Sequence, residues 1–96
     1  MTTKVVYNAC YGGFGLSDEA MARLEELGST LTTTYLTWEF PRHDPLLVQV
    51  VEELEDKANT WASKLRIEEV SGPYRIEEYD GYETVYEPGD YDWITP

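Results

Sequence analysis

Residue types capable of chemistry fall in three places along this 96-residue chain. The first is Cys10-Tyr11-Gly12-Gly13-Phe14-Gly15, between a run of strand formers and a helix start, a location where backbone N–H groups can cradle phosphate. It lacks the Lys and Ser/Thr of a P-loop and the spacing of a dinucleotide fingerprint. Asp18 and Glu19 also offset the positive end of the helix that follows. The stretch therefore reads first as a structural turn and second as an anion site drawing on Tyr11, Gly12, Gly13, Phe14 and Ser17.

The second place is Pro41-Arg42-His43-Asp44-Pro45, which sets a long cation and the one histidine at the mouth of another helix. Arg42 and His43 could hold an anionic group there. The plainer reading has Asp44 capping the helix, Arg42 pairing with a nearby carboxylate and His43 exposed. Cys10, His43 and Asp44 are the component types of a thiol hydrolase. However, Asp44 adjoins His43 and is already used as a cap, so an enzyme is the least supported class and no catalytic residue is assigned. One Cys and one His do not make a zinc site, and the carboxylate runs lack the ordered Asp/Asn and Gly of a calcium loop. Neither metal nor cofactor is expected.

The third place is the C-terminal block, where Tyr79, Tyr82, Tyr86, Tyr91 and Trp93 interleave with Glu77, Asp80, Glu83, Glu87, Asp90 and Asp92. Adjacent acids such as Glu77-Glu78 and Glu68-Glu69 point to opposite faces of a strand and cannot converge on one bond. Tyrosine and tryptophan dominate protein interfaces, and carboxylates steer toward basic targets. Two readings stand side by side: the aromatics wrap the core, or they form a binding face of Tyr79, Tyr82, Glu83, Tyr86, Glu87, Asp90, Tyr91, Asp92 and Trp93.

Charge is compatible with the second reading. The chain carries 19 acids against 7 bases, a net of -12, and from Ile76 onward there are seven acids and no base. Such a surface repels nucleic acid, whose binding rests on Lys and Arg. Direct DNA or RNA binding is disfavoured; the charge reads first as a solubilising face or adaptation to salt and second as a surface made to meet a basic protein partner. No apolar run approaches a membrane span, Met1-Thr2-Thr3-Lys4 leads into a strand pattern rather than a signal peptide, and a lone Cys10 forms no internal disulfide. A cytoplasmic location is expected.

The elements that must position these residues follow from pattern. Lys4 to Asn8 reads as a strand. Ser17 caps a helix whose stripe of Ala20, Met21, Leu24 and Leu27 should face the sheet, and Gly28 stops it. Leu36, Trp38 and Phe40 alternate as on a strand, with residues 29 to 34 open to a loop reading. Asp44-Pro45 starts the main core helix, with Leu47, Val50, Val51, Leu54, Ala58 and Trp61 on one face and Asn59 ending it in a left-handed conformation. Leu65 and Ile67 mark a half-buried strand. Asp80-Gly81 predicts a two-residue hairpin turn that pairs Tyr79 with Tyr82, Glu77 with Thr84 and Arg75 with Tyr86 on one face, and Ile76 with Val85 on the core face. The expected fold is α+β: two helices on a small, mostly antiparallel sheet ending in a β-hairpin, with residues 1–87 as one domain and 88–96 as an acidic aromatic tail.

Val5-Val6-Tyr7-Asn8, Tyr11 to Ser17, Pro41 to Pro45, Leu47 to Leu54 and Ile76 to Gly81, in this order, resemble a family of small uncharacterised bacteriophage and bacterial proteins. The resemblance spans most of residues 4 to 86. It departs at Glu55 and Thr60, where the family often has glycine. It implies a viral or mobile-element setting, and a host cytoplasm, but no activity. The leading expectation is a non-enzymatic interaction protein that binds a basic, nucleic-acid-binding surface of a host protein as a DNA mimic or counter-defence inhibitor. The alternative is a small-molecule binder or sequesterer, open to homo-oligomerisation, that takes a nucleotide or other anion through the glycine-rich loop and Arg42-His43.

Overall fold

The computed structural model describes residues 2–87. Its elements run β1 (Thr3–Asn8), α1 (Asp18–Glu26), the single turn α2 (Leu31–Thr34), α3 (Pro45–Leu54), β2 (Leu65–Val70), β3 (Arg75–Tyr79) and β4 (Tyr82–Tyr86), with 3-10 turns at Thr37–Glu39 and Glu55–Ala58. This is the expected α+β class. The strands form two antiparallel pairs, β1 with β2 and β3 with β4.

β1 is buried on both faces, which explains why it is apolar at consecutive positions rather than alternating. Val6 and Leu65 face a core built with Ala20, Leu24, Leu47 and Val50 from the helices. Val5 and Val70 face the other way, onto Val85 of the hairpin, with Tyr7, Tyr74 and Ile76 around them. The β1–β2 pair therefore lies between a helical layer and the hairpin. Full burial of one such side chain contributes about 1.5–3 kcal/mol. α3 lies on β1 and β2, while α1 packs chiefly on α3 and the 3-10 turn after it. The stripe of α1 thus meets the sheet largely through α3.

Both helix starts follow their cap residues. Ser17 Oγ accepts from Ala20 N at 3.2 Å and donates to Lys57 O at 2.6 Å. Asp44 Oδ1 accepts from Leu46 N at 2.9 Å and Leu47 N at 3.1 Å. Gly28, at φ 83°, ends the turn after α1.

Three local expectations are corrected. Residues 29–40 form a helical turn and a 3-10 turn instead of a strand. Leu31 and Phe40 reach the core while Leu36 is 56% exposed. Threonine and aromatic residues favour strands, but that preference yields to context, and here the two buried anchors, Leu31 and Phe40, hold the run in a looped path. α3 stops at Leu54 because Glu55 takes φ 52°, so the helical phase is lost and Trp61 is fully exposed instead of sharing the apolar face. Asn59 is extended, at φ -78° and ψ 145°. Its side chain serves elsewhere, accepting from Leu65 N at 2.8 Å.

The hairpin follows the expected register, with Tyr79↔Tyr82, Glu77↔Thr84, Arg75↔Tyr86 and Ile76↔Val85. Asp80 at φ 50° and Gly81 at φ 89° supply the two positive angles that a type I′ turn requires. Ile76 and Val85 belong to the second core, as that register implies.

Candidate functional site

Alternation along β4 divides its residues sharply. Glu83 shares a face with Val85 and points inward, only 5% exposed, whereas Tyr82, Thr84 and Tyr86 share the outer face. The interior acid is matched by Arg42, whose guanidinium donates from Nη1 to Glu83 Oε1 and stacks 3.6 Å over the Phe14 ring. The same carboxylate oxygen accepts the Asn8 backbone N–H at 2.9 Å. Arg42 contributes through its backbone as well, its carbonyl accepting from Val6 N at 2.8 Å. Val6 and Asn8 are two apart, so both N–H groups project from the edge of β1 that β2 does not occupy. An open strand edge invites pairing with other chains; here Arg42 and Glu83 seal it.

Asn8 is the hub beside that seal. It is fully buried, and its amide donates to Cys10 O at 2.7 Å and Gly81 O at 2.8 Å. Its Oδ1 accepts from Lys64 N at 2.8 Å. The glycine-rich loop is thereby tied to the hairpin tip, and the fit is close: a Cβ on Gly81 would lie 2.6 Å from Gly13 N and Tyr11 O. On its other side, a Cβ on Gly12 would lie 1.7 Å from Ala62 O.

These contacts account for most of the residues considered for an anionic ligand. Arg42 is engaged by Glu83 and Phe14, Ser17 by the α1 cap and Lys57, and Gly12 and Gly13 by close backbone packing. His43 is exposed, and its Nδ1 shares a 2.7 Å hydrogen bond with the Tyr74 hydroxyl, the rings meeting edge to face at 5.8 Å. Burial raises the Tyr74 hydroxyl above its ordinary range, with Arg42 opposing. The Cys10 thiol donates to Ala62 O at 3.2 Å and Asn8 Oδ1 at 3.5 Å, so Cys10, His43 and Asp44 are bonded to separate partners. Among the described residues no group of three or more His, Cys, Asp or Glu side chains could hold a metal ion, and no helix is long and apolar enough to cross a membrane.

Tyr11 is the member of that set with another role. Closure of the loop onto the hairpin brings its ring to 5.2 Å from Tyr82, tilted by 47°. Tyr11 is 68% exposed and Tyr79 75%, and with Tyr82 and Tyr86 they line one open groove of about 480 Å³ together with Glu77, Glu78 and Thr84. Of the expected partner face, Tyr79, Tyr82 and Tyr86 lie here. Glu87 leaves the end of β4, where its Oε1 accepts from Ser71 N at 2.9 Å. Glu83 faces the interior and is not presented to a partner. Asp90, Tyr91, Asp92 and Trp93 lie outside the described residues.

Reading the sequence alone passes over Asn8 and gives Glu83 an outward role that it does not have. Asn8 carried one signal, a polar residue ending an apolar strand, and such a residue is buried only when its hydrogen bonds are met. Glu83 carried another, since it sits two residues before a core valine on the same face. The described residues thus form an α+β fold with a sealed strand edge and an acidic, tyrosine-lined groove. Comparison with protein-family models, curated proteins and solved structures finds no match.

Proposed function

We propose that this chain is a non-enzymatic interaction protein whose acidic, tyrosine-rich hairpin face occupies a basic surface of a partner protein, a surface of the kind that otherwise holds nucleic acid. The observation that carries this reading is the groove formed by Tyr11, Tyr79, Tyr82 and Tyr86 with Glu77 and Glu78. Exposed tyrosines supply large, rigid contact area at low entropic cost. The surrounding carboxylates, on a chain of net charge -12, supply steering. The resemblance of the sequence to small phage proteins implies a bacterial host for that partner, where covering a nucleic-acid site would serve counter-defence.

The experiment is capture from bacterial lysate on the immobilised protein, followed by elution with double-stranded DNA. Retained nucleic-acid-binding proteins should be released by DNA or by raised salt, and they should be absent when the bait carries Tyr79→Ala with Glu77→Gln. Retention that ignores both DNA and these substitutions overturns the reading.

A further inference from the structure

We infer that the tyrosine groove is a site for guanidinium groups, so that the partner presents arginine side chains to it; this rests on the proposed function above and specifies its chemistry. The interior shows how this chain holds such a group. Arg42 lies 3.6 Å over the Phe14 ring with its Nη1 on the Glu83 carboxylate, an aromatic face and an acid acting together. The outer groove repeats that combination with Tyr11, Tyr79, Tyr82 and Tyr86 as faces and Glu77, which shares their side of the hairpin, as the acid, and neither Lys nor Arg is among its described lining residues.

Each carboxylate already has one partner. Glu77 Oε1 meets Arg75 at 3.0 Å in an exposed pair, and Glu78 Oε1 accepts the Gly81 N–H. A carboxylate offers about four lone-pair sites, so Glu77 retains capacity for an incoming donor, while Glu78 holds the turn. A guanidinium suits the site better than an ammonium because it is planar, less strongly hydrated and stacks on rings. The volume of about 480 Å³ admits more than one such side chain, which fits a basic segment rather than a single free amino acid.

The test is an amide-resolved NMR titration of the full chain with an arginine peptide and a lysine peptide of equal length and charge. Arginine peptide should shift signals at Tyr11, Glu77 to Tyr82 and Tyr86, and bind more tightly than the lysine peptide. Tyr79 is exposed, so replacing it leaves the core intact. Tyr79→Ala should weaken arginine binding by about two- to fivefold, the size of one exposed cation–π contact, while Tyr79→Phe, which keeps the ring, should bind as the parent does. Shifts spread evenly over all acidic segments, equal affinity for the two peptides, or an unaffected Tyr79→Ala variant would each overturn the inference. Any of these combined with host-protein capture that still depends on Tyr79 and Glu77 would leave the proposed function standing and remove only its arginine specificity.

Discussion

Arg42 and Glu83 form a buried ion pair that closes one edge of β1, with side chains only 10% and 7% exposed. The two residues come from the loop before α3 and from β4, so the pair also joins the helical layer to the hairpin.

Breaking that pair from one side should be costly. Glu83→Gln leaves a guanidinium in the interior without its counter-charge, and removing one partner of a buried pair costs about 3–5 kcal/mol. Replacing both residues with apolar side chains should recover much of this. Recovery should be incomplete, because the Asn8 N–H would lose its acceptor, worth about 1–3 kcal/mol when buried. Urea unfolding of the two single variants and the double variant measures the coupling, and a strictly additive result would refute it.

Gly81 tests the link between fold and face. Gly81→Ala meets both a left-handed backbone at φ 89° and a Cβ position 2.6 Å from the backbone of the glycine-rich loop. The hairpin tip should lift from the loop, separating Tyr11 from Tyr82. Overpacking of this kind costs about 1–3 kcal/mol. Circular dichroism should show the secondary structure largely retained while binding to the captured partner is lost; retained binding would mean that Tyr11 is not needed.

Glu55 should respond in the opposite direction. A non-glycine residue at φ 52° and ψ -124° holds backbone strain of about 1–3 kcal/mol, and its side chain is exposed. Glu55→Gly should therefore stabilise the fold by about 1 kcal/mol net of the entropy cost of glycine. In a domain of this size that raises the melting temperature by about 4–8 °C. A lowered melting temperature would contradict it.

Alkaline pH should weaken the fold through two tyrosines. Burial raises Tyr7 and Tyr74 above the ordinary value of 10.0, with Glu68 adding to the effect at Tyr7 and Arg42 opposing it at Tyr74. A folded-state value above the unfolded one means stability that is present below the ordinary tyrosine range and lost as pH rises through the folded value. Melting temperature should hold steady through neutrality and fall from about pH 10 upward, with a shallower fall in Tyr7→Phe. At the acid end, Arg23 lowers Glu53 below its ordinary 4.5, so the stability that Glu53 contributes is present above that value and lost as pH falls below it.

The legible parts of the fold were those in which one residue type answers one backbone demand. Asp80-Gly81 announced its turn because both positions need positive φ, and that turn fixed which hairpin residues face one another. Ser17 and Asp44 announced helix starts because their oxygens accept otherwise unpaired N–H groups. Glu55 gave no such signal, since an acid in a left-handed conformation is held there by its surroundings and not by its own preference. The end of α3 and the exposure of Trp61 were hidden with it. At the candidate site the outward tyrosines of the hairpin could be read from period two alone. The same period turns Glu83 inward with Val85, but its counter-charge at Arg42 and the place of Tyr11 beside Tyr82, which needs the loop's closure onto the hairpin, are contacts between distant segments.

That closure rests on Asn8 and Gly81, which are 73 residues apart in the chain. The groove is consequently a discontinuous epitope: a synthetic peptide of residues 74–87 would carry three of its four tyrosines yet lack Tyr11 and the support of β1. Anything that recognises the whole groove recognises the native chain alone. By mass action such a partner would lengthen the lifetime of the folded protein in the cell in proportion to its own abundance.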